Sequence, residues 1–132
     1  MKVNVLFERA KDGYYSCFME EELPDFGLAG YGDTAEAAKA DFLKSYEEIK
    51  EMLAEEGKEV PVLEFSYKYD LQSFFNYFWF LNISKIAEVA GINPSLMRQY
   101  ASGVANVGEK QYDKIRIAIK KIGNELVSAQ FW

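Results

Sequence analysis

A chain of 132 residues has room for one domain or two small ones, and with 16% aromatic residues it can build a substantial core. A single cysteine, Cys17, and the absence of histidine exclude an internal disulfide, a cysteine-only zinc site, histidine metal ligation and histidine acid–base catalysis. The net charge of −6 is split unevenly: residues 1–70 hold 8 Lys or Arg against 17 Asp or Glu, and residues 71–132 hold 7 against 4.

That split, −9 against +3, suggests two domains, 1–70 and 71–132, with different partners. The acidic part repels nucleic acid and suits a basic partner, whereas the other is compatible with DNA. The plainer alternative is that the carboxylates only keep one long helix solvated. No apolar run approaches the roughly 20 residues of a membrane span. Met1-Lys2-Val3-Asn4-Val5 lacks a signal-peptide pattern, so a cytoplasmic protein is expected.

Along residues 1–70, Val3, Val5 and Phe7 alternate with polar neighbours as a half-buried strand does. Lys11-Asp12-Gly13 makes a hairpin turn, because Asp and Gly tolerate positive φ. Tyr15, Cys17 and Met19 line the returning strand, and a short third strand or irregular edge is expected around Phe26 to Ala29. Asp33 or Thr34 caps the next helix, with Asp33 and Glu36 resembling a capping box. Ala38, Phe42, Tyr46, Ile49 and Leu53 form its apolar stripe, Glu47, Glu48, Glu51, Glu55 and Glu56 load its outside, and Gly57 ends it. A strand after Pro61 turns Leu63, Phe65, Tyr67 and Tyr69 to one side, completing a β-β-β-α-β order.

Asp70 can cap a helix over Leu71 to Leu81 that is apolar nearly all round. Such a helix must be buried, against the C-terminal helices and against either the sheet or a second subunit. Core packing explains its rings better than an aromatic ligand cage.

Ile83 to Gly103 carries a helix-turn-helix signal. Asn82 caps a helix with Ile83, Ile86, Ala87 and Ala90 at helical spacing. Gly91 occupies the sharp turn, and Asn93 caps a second helix with Pro94 at its first position. Ile92, Leu96, Met97 and Tyr100 supply the buried side. The remaining face offers Asn93, Ser95, Arg98 and Gln99 to base edges, and Lys85 joins them as a DNA-contact candidate. The plainer alternative is an ordinary α-hairpin with a polar outside. A final helix begins near Gly108, with a stripe of Tyr112, Ile115, Ala118, Ile119, Ile122 and Leu126. Gly123 is a candidate break in it, and Phe131-Trp132 is expected to dock.

The turn into the first long helix carries a family resemblance. Tyr14-Tyr15-Ser16, Leu23-Pro24-Asp25-Phe26-Gly27 and Gly32-Asp33-Thr34-Ala35-Glu36-Ala37 resemble the HicB antitoxin family over residues 1–70. One departure is Phe26-Gly27, where the family usually has Pro-Gly. Residues 71–132 resemble the Xre-type helix-turn-helix of some HicB proteins. The resemblance implies an α+β chain: a partial RNase H-like domain without activity, then an all-α DNA-binding domain. It also implies a small basic ribonuclease toxin, HicA-like, as partner, and a dimer or higher homo-oligomer that represses its own operon on double-stranded operator DNA.

Enzymatic readings lack residues. Asn4, Glu8, Glu20 and Glu64 make no converging carboxylate set for metal-dependent hydrolysis. Gly27, Gly30 and Gly32 fit no phosphate-binding fingerprint, and Cys17 has no histidine to activate it. No cofactor is expected. A binding protein remains, with Glu20, Glu21, Glu22 and Asp25 as the candidate toxin-facing cluster. The alternative is a stand-alone transcriptional regulator whose first domain senses a small molecule or only oligomerises.

Overall fold

The computed structural model describes residues 1–24 and 26–132. Among the described residues the chain is α+β, with a four-stranded sheet and five helices. It divides into two compact units, Met1–Phe78 and Trp79–Trp132. No described helix is long and apolar enough to cross a membrane.

In the first unit, strands β1 (Lys2–Arg9) and β2 (Tyr15–Met19) pair antiparallel, with Val5 opposite Met19 and Arg9 opposite Tyr15. Between them Asp12 Oδ1 accepts from Tyr14 N at 3.0 Å, and Gly13 takes a φ of 90°. Strand β3 (Ala29–Gly32) continues antiparallel on β2, and β4 (Glu64–Tyr69) joins β1 in parallel, giving the order β3-β2-β1-β4. A parallel strand needs a crossover. Helix α1 (Ala35–Glu55) provides it and covers the face formed by Val3, Val5, Phe7, Tyr15, Cys17 and Met19. Each large apolar side chain buried here stabilises the fold by roughly 1.5–3 kcal/mol.

The third strand, Ala29–Gly32, meets the expected Phe26 to Ala29 only at Ala29, and its glycines let it approach α1 closely. A Cβ on Gly30 would sit 2.3 Å from Phe42 N and 2.4 Å from Ala38 O. Thr34 caps α1, its Oγ1 accepting from Ala37 N at 3.0 Å. The Asp33–Glu36 pair is therefore one residue out of place for a capping box. Tyr46 Oη donates to Pro61 O at 3.0 Å and accepts from Leu63 N at 3.1 Å, pinning the approach to β4.

Helix α2 (Leu71–Tyr77) belongs to this unit, so the unit boundary falls after Phe78. The Asp70 carboxylate ties it down twice, with Oδ1 accepting from Ser73 N at 2.7 Å and Oδ2 from Arg9 N at 2.9 Å. Asn76 Oδ1 accepts from Ala35 N at 2.8 Å, linking α2 to the start of α1. Phe7 stacks on Tyr69 at 4.6 Å, and Phe74, Tyr77 and Phe78 gather around Tyr69. The helix expected to reach Leu81 stops here, since Phe78 leaves the helical region at ψ 53°. Trp79 and Phe80, expected inside, are 74% and 66% exposed. Asn82 is extended as the cap of the next helix, so the two helices cannot run as one.

The second unit comprises α3 (Ile83–Ala90), α4 (Pro94–Ser102) and α5 (Glu109–Ser128). Its core holds Ile86, Ala87, Ile92, Met97, Tyr100, Ile115 and Ala118. Helix α5 runs through Gly123 unbroken. Leu126, expected in the buried stripe, is 66% exposed, and Phe131 and Trp132 are exposed rather than docked. No other described element of the unit reaches far enough to cover them.

Candidate nucleic-acid interface

Two helix ends and one turn shape the surface around α4. Asn82 Oδ1 accepts from Lys85 N at 3.0 Å and starts α3. Gly91, at φ 72° and ψ 32°, ends it, and Ile92 N donates back to Ala87 O at 2.9 Å. Such a left-handed closure is open to glycine at little steric cost. The chain then enters α4 at once: Asn93 Oδ1 accepts from Ser95 N at 2.9 Å and Leu96 N at 3.3 Å. Buried Met97 and Tyr100 face inward, which leaves Ser95, Arg98 and Gln99 exposed on the outside of α4.

The five predicted DNA-contact residues fare differently. Ser95, Arg98 and Gln99 lie together on the exposed face of one helix. Asn93 adjoins them, but its carbonyl oxygen is engaged as the cap, leaving its amide nitrogen to reach outward. Lys85 is exposed on α3 and pairs with Glu88 at 3.5 Å. Arg98 donates from Nη1 to Ser84 Oγ at 2.8 Å, which brings in a residue that sequence spacing did not select. Ser84 carries no signal of its own, because the link depends on how α3 and α4 cross.

Division after Phe78 keeps the charge asymmetry, with 7 Lys or Arg against 4 Asp or Glu in the second unit. Ion pairs among its described residues involve Lys85 with Glu88 and Arg116 with Asp113.

The acidic cluster of the first unit separates into distinct roles. Glu21 accepts from Asn4 N with both carboxylate oxygens, at 2.9 and 3.2 Å, so it holds the start of β1. Glu20 is exposed, 3.9 Å from Lys68, and Glu22, the second residue after it, is exposed as well. Asp25 lies outside the described residues. Nearby, Met1, Leu23, Pro24, Phe26, Leu53, Lys58, Glu59 and Pro61 line an apolar cleft of about 510 Å³. Cys17 is fully buried, and burial pushes its thiol up to about 12 despite the opposing influence of the Lys39 charge. A thiol so held is neutral at physiological pH and a poor nucleophile. Burial likewise raises the Tyr69 phenol to about 12.

No family model, curated protein or solved structure matches this chain.

Proposed function

We propose that this chain is a DNA-binding antitoxin of the HicB type, which neutralises a small basic ribonuclease and represses its own operator as a dimer or higher oligomer. Its work is binding, not catalysis, and its place is the cytoplasm. The observation that carries the DNA half is the exposed row of Ser95, Arg98 and Gln99 on α4, set against α3 by the Gly91 turn. Arginine suits guanine, glutamine suits adenine, and a helix with such a face fits the major groove as the second helix of a helix-turn-helix. The β-β-β-α-β order of residues 1–70 supports a partial RNase H-like domain. Its −9 balance supports a basic partner, because complementary potential speeds encounter with a surface built to hold RNA.

The test is twofold. The full chain should bind the DNA upstream of its own reading frame more tightly than a scrambled duplex at fixed salt, and Arg98→Ala should weaken that binding. The full chain should also abolish the activity of a small basic ribonuclease encoded beside it, with association slowing as salt rises. Equal affinity for both duplexes rules out the DNA role. A ribonuclease that stays active in excess antitoxin rules out the other.

A second reading has one observation in its favour. The cleft of about 510 Å³ falls within the range of about 300–1,000 Å³ usual for small-molecule sites, so a ligand-sensing regulator is the alternative. DNA binding with no ribonuclease partner, modulated by a small apolar ligand, would favour it.

A further inference from the structure

We infer that the open edge of β4 takes an extended segment of a partner protein as a further strand, with a carboxylate of that segment seated on Lys39. The sheet ends in β3 on one side and β4 on the other, and side chains of α1 occupy the first of these edges. Tyr31 N donates to Asp41 Oδ2 at 2.9 Å, and Ala29 O accepts from Ser45 Oγ at 3.2 Å. Asp41 and Ser45 both belong to α1, so the β3 backbone is already engaged.

The β4 edge has no such closure. Glu64 N donates to Met1 O and Asp70 N to Phe7 O, so the even-numbered residues turn their backbone groups to β1. The period of two along a strand then points the N–H and C=O groups of Phe65, Tyr67 and Tyr69 away from β1. None of these groups has a hydrogen-bond partner among the described residues. Edge strands are commonly blunted by proline, a bulge or a charge. Here there is neither proline nor bulge, the register with β1 running unbroken from Glu64 to Tyr69, and Lys68 is held 3.9 Å from Glu20.

The side chains beside this edge say what the added segment carries. Phe65, Tyr67 and Tyr69 are half-buried against the core and offer an aromatic row to a neighbouring strand. Lys39 Nζ lies 4.4 Å over the Tyr67 ring and 5.2 Å from the centre of the Tyr77 ring. It donates to Tyr77 Oη at 3.1 Å, and no carboxylate pairs with it among the described residues. Residues 1–70 hold 17 Asp or Glu, yet this half-buried ammonium has none of them. A cation drawn out of water favours an ionic partner, and Lys39 keeps donors free for one.

A strand laid along β4 sends alternate side chains to that row, so apolar residues flanking one Asp or Glu match it. A second copy of β4 does not, because its own row is Phe65, Tyr67 and Tyr69, with no carboxylate. Neither the DNA face nor the basic ribonuclease enters this inference, so it stands or falls apart from them.

The test uses the full chain and a labelled peptide, acetyl-Thr-Val-Thr-Asp-Thr-Val-Thr-amide, beside the same peptide with Lys in place of Asp. In the free chain the amides of Phe65, Tyr67 and Tyr69 should exchange hydrogen faster than those of Ser66 and Lys68. The Asp peptide should slow them, and by anisotropy it should bind about tenfold tighter, or more, than the Lys peptide. Lys39→Met should erase that preference. Edge amides already protected in the free chain, no binding of the Asp peptide at millimolar concentration, or a preference that survives in Lys39→Met overturns the site. If Lys39→Met fails to fold, the exchange rates and the peptide pair decide, and equal affinity for the two peptides overturns it.

Discussion

Arg98 reaches back across the turn and donates to Ser84 Oγ at 2.8 Å, although the two lie 14 residues apart. One guanidinium nitrogen is thereby fixed to α3, and a side chain held this way loses less freedom on meeting a base. Arg98→Ala should cost about 1–3 kcal/mol of operator affinity and relax preference at one base pair. Ser84→Ala should cost less, about 0.5–1.5 kcal/mol. In the double variant the losses should not add, because both remove the same arrangement. Fluorescence anisotropy at constant salt measures all three, and additive losses would mean that Ser84 acts alone.

Gly30 is the tightest point of the first unit. A methyl group there collides with backbone atoms of α1, which cannot rotate away. Gly30→Ala should lose about 3 kcal/mol or more in urea unfolding, at the upper end for overpacking. Gly27, where an added Cβ meets nothing within 4 Å, is the control. Gly27→Ala should change stability by less than about 1 kcal/mol in either direction.

Ser73 and Asp70 make an opposed pair at the start of α2. The Ser73 hydroxyl is fully buried with no hydrogen-bond partner among the described residues. Removing an unsatisfied polar group relieves its desolvation cost, so Ser73→Ala should stabilise by about 1 kcal/mol. Asp70→Ala removes a cap and the acceptor of Arg9 N together, and should destabilise by about 1–2 kcal/mol. Thermal melts that shift both variants the same way would contradict this account.

Alkaline pH should act on the first unit. Cys17 and Tyr69 both rise to about 12 in the folded chain, from ordinary values of 9.0 and 10.0, with burial as the main cause, and Tyr67 is raised for the same reason. The folded state thus keeps protons that the unfolded chain gives up. Its stabilising contribution is complete below about pH 9 and falls as pH climbs towards 12. Urea midpoints should be insensitive to these groups at neutral pH and decline above pH 9. Cys17→Ala should make the onset of that decline less steep.

Legibility in the sequence followed the range of the forces involved. Asp70, Asn82, Gly91 and Asn93 were readable because a cap or a left-handed turn is decided within four residues. The alternation of Val3, Val5 and Phe7 was readable for the same reason. Leu126, Trp79 and Phe80 were not, since hydrophobicity marks a residue as wanting cover and says nothing of whether cover is near. Glu21 looked like a surface charge until the β1–β2 register brought Asn4 N beneath it. Ser84 needed the crossing of α3 and α4 before its contact with Arg98 existed at all.

Cys17 is the chain's one sulfhydryl, and it lies at the centre of the sheet unit with none of its surface open. A thiol-reactive dye can reach it only after that unit opens, and the helical unit has nothing for the dye to take. Labelling kinetics therefore serve as a stopwatch for half of the molecule. Any ligand or partner that slows the dye must be holding the sheet unit shut, wherever else on the chain it also touches.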